Sequence, residues 1–232
     1  MLIVITGASK GIGFELVKQL AADPKNLVIA VSRNTSSLTK LVKEKNTHSV
    51  LPLKADITSS LQRKKIYQVI RSLNLPLNVL INNAGEIVNK PFEKISEKEI
   101  RSVYTTNVFA PFSLIQTLLP LFDKKVRSHI VNISSMGGVQ GSSKFAGLSA
   151  YSSSKSALGG LTECLAEELK EKNIFVNALA IGAVQTEMLA RAFPGYQAPL
   201  KAVEMAEFIA GFALTGQKYF NGKIIPVSSS TP

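Results

Sequence analysis

A single cysteine, Cys164, occurs in the 232 residues. One thiol cannot close an internal disulfide, which excludes a disulfide-stapled secreted scaffold. The two histidines, His48 and His129, stand apart from each other and from the cysteine; no transition-metal cluster is expected. No window approaches the roughly 18 uninterrupted apolar residues of a membrane span. The first residues, Met1-Leu2-Ile3-Val4-Ile5-Thr6-Gly7, lack a basic stretch, and their apolar run is soon broken, so no signal peptide is expected there. These absences together predict a soluble, cytoplasmic protein. No Ser-His-Asp arrangement emerges, which leaves hydrolase chemistry unsupported.

Acidic residues are scarce as well: 16 Asp and Glu face 27 Lys and Arg, for a net charge of +11. Such an excess can serve nucleic acid, a membrane surface or an anionic small molecule. Its distribution decides among these. Residues 1–75 hold 12 basic and 4 acidic side chains, and the longest basic run, Arg63-Lys64-Lys65, falls within a helical pattern. That is a solvated helix face rather than a nucleic-acid tail, and neither nucleic acid nor membrane is expected as a partner.

What is present is a regular alternation of strand-like apolar runs with segments of helical period. The predicted strands are Leu2 to Thr6, Leu27 to Val31, Ser49 to Lys54, Leu77 to Asn82, His129 to Ser134, Ile174 to Ala180 and Lys223 to Val227. Helices are predicted near 11–22, 36–46, 59–72, 97–122, 151–172 and 201–214, with Pro120 marking an end or a kink. Apolar content of 45% suffices for a core. No linker, repeat or low-complexity tract interrupts residues 1–232, which read as one α/β domain: a doubly wound, Rossmann-type, mainly seven-stranded parallel sheet with helices on both faces. Ligands in such sheets sit beyond the carboxyl ends of the strands. The Gly- and Ser-rich stretches Met136 to Ala150 and Glu187 to Leu200 are expected there.

The first strand runs into Thr6-Gly7-Ala8-Ser9-Lys10-Gly11-Ile12-Gly13 and then a helix. Glycines permit a tight turn and close approach to a pyrophosphate, whose charge suits the N–H groups at a helix start. Dinucleotide sites that bind a free ribose 2′-hydroxyl carry a carboxylate at the end of the second strand. Here that place reads Val31-Ser32-Arg33-Asn34. Arg33, aided by Lys10, suits a 2′-phosphate, which predicts NADP(H) rather than NAD(H).

With these elements in place, the sequence resembles the short-chain dehydrogenase/reductase family from Leu2 to about Val227. The resemblance rests on the Thr6-to-Gly13 loop, Asn82-Asn83-Ala84-Gly85, Asn107, Ile133-Ser134-Ser135 and Tyr151-Ser-Ser-Ser-Lys155, in this order on one β-α scaffold. It implies a carbonyl reductase in which Tyr151 donates a proton to the substrate oxygen. Lys155 would lower the phenol pKa and bind the nicotinamide ribose, Ser135 would hold the substrate oxygen, and Asn107 would maintain a helix distortion and a water in a proton path. By the same resemblance Gly7, Ser9, Lys10, Gly11, Ile12, Gly13, Arg33, Asp56, Ile57, Asn83, Ala84, Gly85, Tyr151, Lys155 and Thr186 form the NADP(H) site. Residues 187–200 would be a substrate lid, with Met188, Leu189, Phe193 and Tyr196 as its apolar surface. A homodimer or homotetramer is implied, packed through the helices of Asn107 and Tyr151.

Three departures mark this chain. Ser135 precedes Tyr151 by 16 positions where the family usually has about 13, which places an insertion in the Met136 to Ala150 loop. Ile181-Gly182 stands where Pro-Gly is usual, and the terminal Pro226-Val227-Ser228-Ser229-Ser230-Thr231-Pro232 lacks a diglycine. The expected partner is a small-molecule carbonyl or alcohol. Two other readings stay open: a 3-oxoacyl-thioester reductase docking an acidic carrier protein, and a non-enzymatic NADP-binding regulatory protein.

Overall fold

The computed structural model describes residues 1–228. Its main sheet is built from β1 (Leu2–Thr6), β2 (Leu27–Ser32), β3 (Val50–Lys54), β4 (Leu77–Asn82), β5 (Ser128–Ser135), β6 (Ile174–Ile181) and β9 (Ile224–Val227). These seven strands are all parallel, in the order β3-β2-β1-β4-β5-β6-β9. Between them run α1 (Gly11–Leu20), α2 (Ser36–Lys45), α3 (Ser60–Ser72), α4 (Glu97–Tyr104), α5 (Ala110–Leu118), α6 (Ser149–Leu169), α7 (Glu187–Ala192) and α8 (Ala202–Thr215). Two short strands, β7 (Val184–Gln185) and β8 (Leu200–Lys201), pair apart from the main sheet and bracket α7.

The strands are apolar along their length because both faces are covered. In β1, Ile3 and Ile5 pack with α1, α2 and α8 through Leu16, Leu38 and Ile209. Leu2 and Val4 face the other way, toward Ile66 of α3, Leu114 of α5 and Ala166 of α6. Period-two alternation therefore feeds two cores rather than one core and a wet face. Among the described residues no helix is long and apolar enough to cross a membrane.

The strand order reverses between β1 and β4, which pair with Ile5 opposite Ile81. Chains leaving the carboxyl ends of β1 and β4 must diverge, which opens a crevice for a ligand at this switch point.

The predicted helix over 97–122 is interrupted. α4 passes into a π-helical turn, Thr105–Phe109, before α5 begins at Ala110, and a 3₁₀ turn, Leu119–Leu121, ends it at Pro120. The helix predicted from Tyr151 starts two residues earlier, at Ser149. β7 and β8 were not anticipated from the sequence, since a two-residue strand carries no periodicity.

Candidate active site

The turn after β1 is held by backbone demands. Gly7 and Gly11 adopt φ of +67° and +55°, conformations open to glycine but strained for other L-residues. Gly13 is required for close approach: a Cβ there would lie 2.3 Å from the Gly7 carbonyl oxygen. The loop is then tied to β4. Asn83 Nδ2 donates to the Thr6 and Gly7 carbonyls at 3.0 and 3.2 Å, and Thr6 Oγ1 accepts from the Asn83 and Ala84 amides, each at 3.1 Å. Thr6, which stood in the loop motif without a role, is the junction of both segments.

A dinucleotide fits this cradle. Lys10 is the N-cap of α1 and supplies no side-chain cap, so the N–H groups of the first turn remain for an outside anion. Ile12 is packed into the core at the base of that turn. Toward β2, Ser32 Oγ donates to Ser9 Oγ at 2.8 Å and Ser37 Oγ to the Ser9 carbonyl at 2.7 Å. This draws the loop to the end of β2, where Arg33 is exposed. Asp56 closes a local turn, its Oδ1 accepting from Thr58 N and Oγ1 at 2.9 and 2.8 Å, while Ser59 is the N-cap of α3. Ile57 is buried, and its carbonyl accepts from Arg63 Nη1 at 2.8 Å.

Four polar side chains converge beyond β4 and β5. Tyr151 and Lys155 share one face of α6, and Lys155 Nζ sits 5.7 Å from the Tyr151 ring centroid. Nζ also donates to the Ile133 carbonyl at 2.8 Å. Burial drives the Lys155 ammonium down from 10.5 to about 8. The same crowding pushes the Tyr151 phenol up, and contact with the Ser135 hydroxyl pulls it back. Ser134, by contrast, is turned into the protein and donates to the Lys155 carbonyl at 3.1 Å. The two serines at the end of β5 alternate across the sheet, which separates a cleft role from a structural one.

Asn107 is fully buried within the π turn. Its Nδ2 donates to the Glu86 carbonyl and to Ser154 Oγ, both at 2.9 Å, and its Oδ1 accepts from the Glu86 amide at 2.8 Å. The Glu86 carboxylate in turn accepts from Ser102 at 2.8 Å and Thr106 at 3.0 Å. Glu86 escaped the sequence reading, although its place directly after Gly85 was a signal. A Cβ on Gly85 would stand 3.5 Å from Asn107 Oδ1 and 3.6 Å from Lys155 Nζ; the strand end thus runs between the two.

The 136–150 loop opens with a 3₁₀ turn and reaches α-helix at Ser149. Its first turn, Met136–Gly138, lies flat on α6: a Cβ on Gly138 would meet Lys155 backbone at 2.8 Å, and Ser156 Oγ donates to the Gly138 carbonyl at 2.7 Å. Its far end is held by Lys90 N donating to the Gly147 carbonyl at 3.0 Å. Asn89 Nδ2 reaches the Ala192 carbonyl at 2.7 Å, so the segment after β4 contacts both this loop and α7. Thr186 is the N-cap of α7, with Oγ1 accepting from Leu189 N at 3.2 Å. Met188 and Tyr196 are exposed beside it.

A glycine-rich cradle at the switch point of a parallel sheet, beside a buried lysine and a tyrosine on one helix face, defines a dinucleotide-dependent oxidoreductase. A family model described as short chain dehydrogenase matches residues 1–197, and the chain belongs to that family. It is 33% identical over 189 residues to L-xylulose reductase of Caenorhabditis elegans, across 80% of this chain and 72% of that protein. It is 34% identical over 232 residues to an NADP-dependent 3-hydroxy acid dehydrogenase of Schizosaccharomyces pombe, across 92% and 86% of the two chains. Among solved structures, the Pseudomonas aeruginosa RhlG/NADP active-site complex superposes with a TM-score of 0.86 at 26% identity, covering 99% of this chain and 95% of that one.

Proposed function

We propose that the protein is an NADP(H)-dependent carbonyl reductase that converts a ketone or aldehyde to an alcohol, with Tyr151 as proton donor. The observation that carries this reading is the convergence of Ser135, Tyr151 and Lys155 beside the phosphate loop, with Asn107 locked behind them. A bound nicotinamide supplies the hydride. Ser135 and Tyr151 hold the carbonyl oxygen through their hydroxyls. As negative charge develops there, the Tyr151 proton moves to it, and the nearby Lys155 ammonium stabilises the phenolate left behind. A raised phenol pKa keeps the donor protonated in the resting site. A lysine near 8 still carries its charge at neutral pH. Asn107, bonded to Glu86 and Ser154, keeps the strand end and α6 in register.

Arg33 and the Ser9–Ser32–Ser37 cluster support NADP(H), because a 2′-phosphate needs a cation and hydroxyl donors where a carboxylate would repel it. The NADP named for the Schizosaccharomyces pombe relative and for the RhlG complex agrees with this. The 187–200 segment is read as the substrate lid, its Met188 and Tyr196 offering an apolar surface. Phe109 and Phe112, exposed on the π turn and α5, support a homo-oligomer through these helices.

The test is a panel of ketones, diketones, aldehydes and 3-oxoacyl thioesters, followed by loss of NADPH absorbance. Tyr151→Phe is expected to lower kcat by about 10²–10⁴-fold with NADPH affinity retained, and undiminished turnover refutes the proton donor. Ser135→Ala is expected to slow reduction at least about tenfold. NADH used as well as NADPH refutes the cofactor assignment.

A further inference from the structure

The cation of the phosphate loop is already engaged. Lys10 Nζ lies 2.8 Å from Glu187 Oε2, with the two side chains 53% and 61% exposed. The same oxygen is 3.5 Å from Arg191 Nη2, one turn further along α7. Lys10 holds the Glu187 carboxyl below its ordinary range, with a smaller effect from Arg191. The backbone brings the two residues together. Gly11 faces the start of α7, since a Cβ on it would sit 3.5 Å from Thr186 Cγ2. Ser9, meanwhile, is pinned to Ser32 and Ser37, so the Lys10 stem begins between the lid and the end of β2 that carries Arg33. Among the described residues Arg33 has no ion-pair partner of its own.

We infer that Glu187 competes with the 2′-phosphate of the cofactor for Lys10, and so sets how strongly NADPH is preferred over NADH. This rests on the NADP(H) reading above. A carboxylate 2.8 Å from an ammonium neutralises part of its field. A 2′-phosphate that draws on Lys10 must therefore displace Glu187, whereas NADH, lacking that phosphate, has nothing to exchange. Arg191 lowers the cost of the exchange, because Glu187 keeps a guanidinium beside it when Lys10 leaves. The pair is exposed, which limits its strength. Glu187 is thus a specificity residue on the lid that acts through a cation of the phosphate loop.

Dissociation constants for NADPH and NADH, read from cofactor fluorescence without substrate, test this in the parent, Glu187→Gln, Lys10→Ala and the double variant. Glu187→Gln is expected to tighten NADPH binding about two- to fivefold, the range of one exposed ion pair, and to leave NADH unchanged. On the Lys10→Ala background the same substitution is expected to do nothing. Equal shifts for both cofactors, no shift for NADPH, or an NADPH effect that persists without Lys10 each overturn the competitor role. A parent that binds NADH as tightly as NADPH overturns the underlying cofactor reading instead. The two failures are thereby distinct.

Discussion

Lys155 is held where burial works against its charge. Lys155 is 4% exposed, and its ammonium donates to the Ile133 carbonyl. Its pKa falls from 10.5 in the unfolded chain to about 8 in the fold, so between these values the unfolded state binds more protons and stability rises with pH. Below pH 8 the full penalty, about 3 kcal/mol, is present. Lys155→Met is therefore expected to be more stable than the parent by about 1–3 kcal/mol at pH 7, part of the gain being lost to the unpaired Ile133 carbonyl. The advantage should shrink from pH 8 toward 10.5, as followed by denaturant unfolding across that range, while reductase activity is lost. An equally stable or weaker variant at pH 7 contradicts this account. The spacing of Tyr151 and Lys155 placed them on one helix face, and only the family resemblance singled them out as a pair. The depressed lysine was not, because burial belongs to the surrounding elements and not to the motif.

At the scale of elements, glycine positions separate by what surrounds them. In α1, an alanine at position 13 would place Cβ 2.3 Å from the Gly7 oxygen and 2.5 Å from Asn83 Nδ2. Neither can yield without parting α1 from β1 or breaking the Asn83 bridge. Gly13→Ala is expected to destabilise the fold by about 1–3 kcal/mol and to weaken NADPH binding. Gly211→Ala, in α8 with open space around it, is expected to be neutral or to stabilise by up to about 1 kcal/mol. Thermal midpoints and cofactor titrations of the two variants check the contrast. The helix pattern over 97–122 reads as continuous because Val108 to Phe112 is apolar at every position, which hides the roughly 100° rotation that one extra residue imposes. The resemblance attached a helix distortion to Asn107, and its bonds to Glu86 and Ser154 supply the partners that the sequence did not show.

Across the molecule, the two faces of the sheet are sealed differently. Opposite the site, His129 on β5 is buried under α8, with Nδ1 3.0 Å from the Ala213 carbonyl and Nε2 3.0 Å from Asn177 Nδ2. The carbonyl requires a proton on Nδ1, and the amide donor requires a bare Nε2, so the ring is neutral in one tautomer. Burial lowers its pKa from 6.5 to about 4, outweighing the Ala213 carbonyl. The unfolded state takes up the proton first as pH falls. The contribution of His129 to stability is complete above pH 6.5 and is lost toward pH 4, by about 3 kcal/mol. Urea unfolding at pH 7 and near pH 4 is expected to show that loss in the parent and a flatter profile in His129→Phe; matching profiles refute it.

The amino-acid sequence by itself determined the order of the seven main strands and the glycine-rich loop after the first of them, while Ser135, Tyr151 and Lys155 were singled out through the family resemblance. Strand order and loop are written in local period and turn chemistry. The tertiary structure alone decided that Lys10 pairs with Glu187, that Glu86 and Ser154 are the groups Asn107 bonds from the π turn, and that β7 and β8 bracket α7. It also decided the protonation of Lys155 and His129. These depend on atoms far apart in the chain, and electrostatic energy follows distance and burial rather than sequence order.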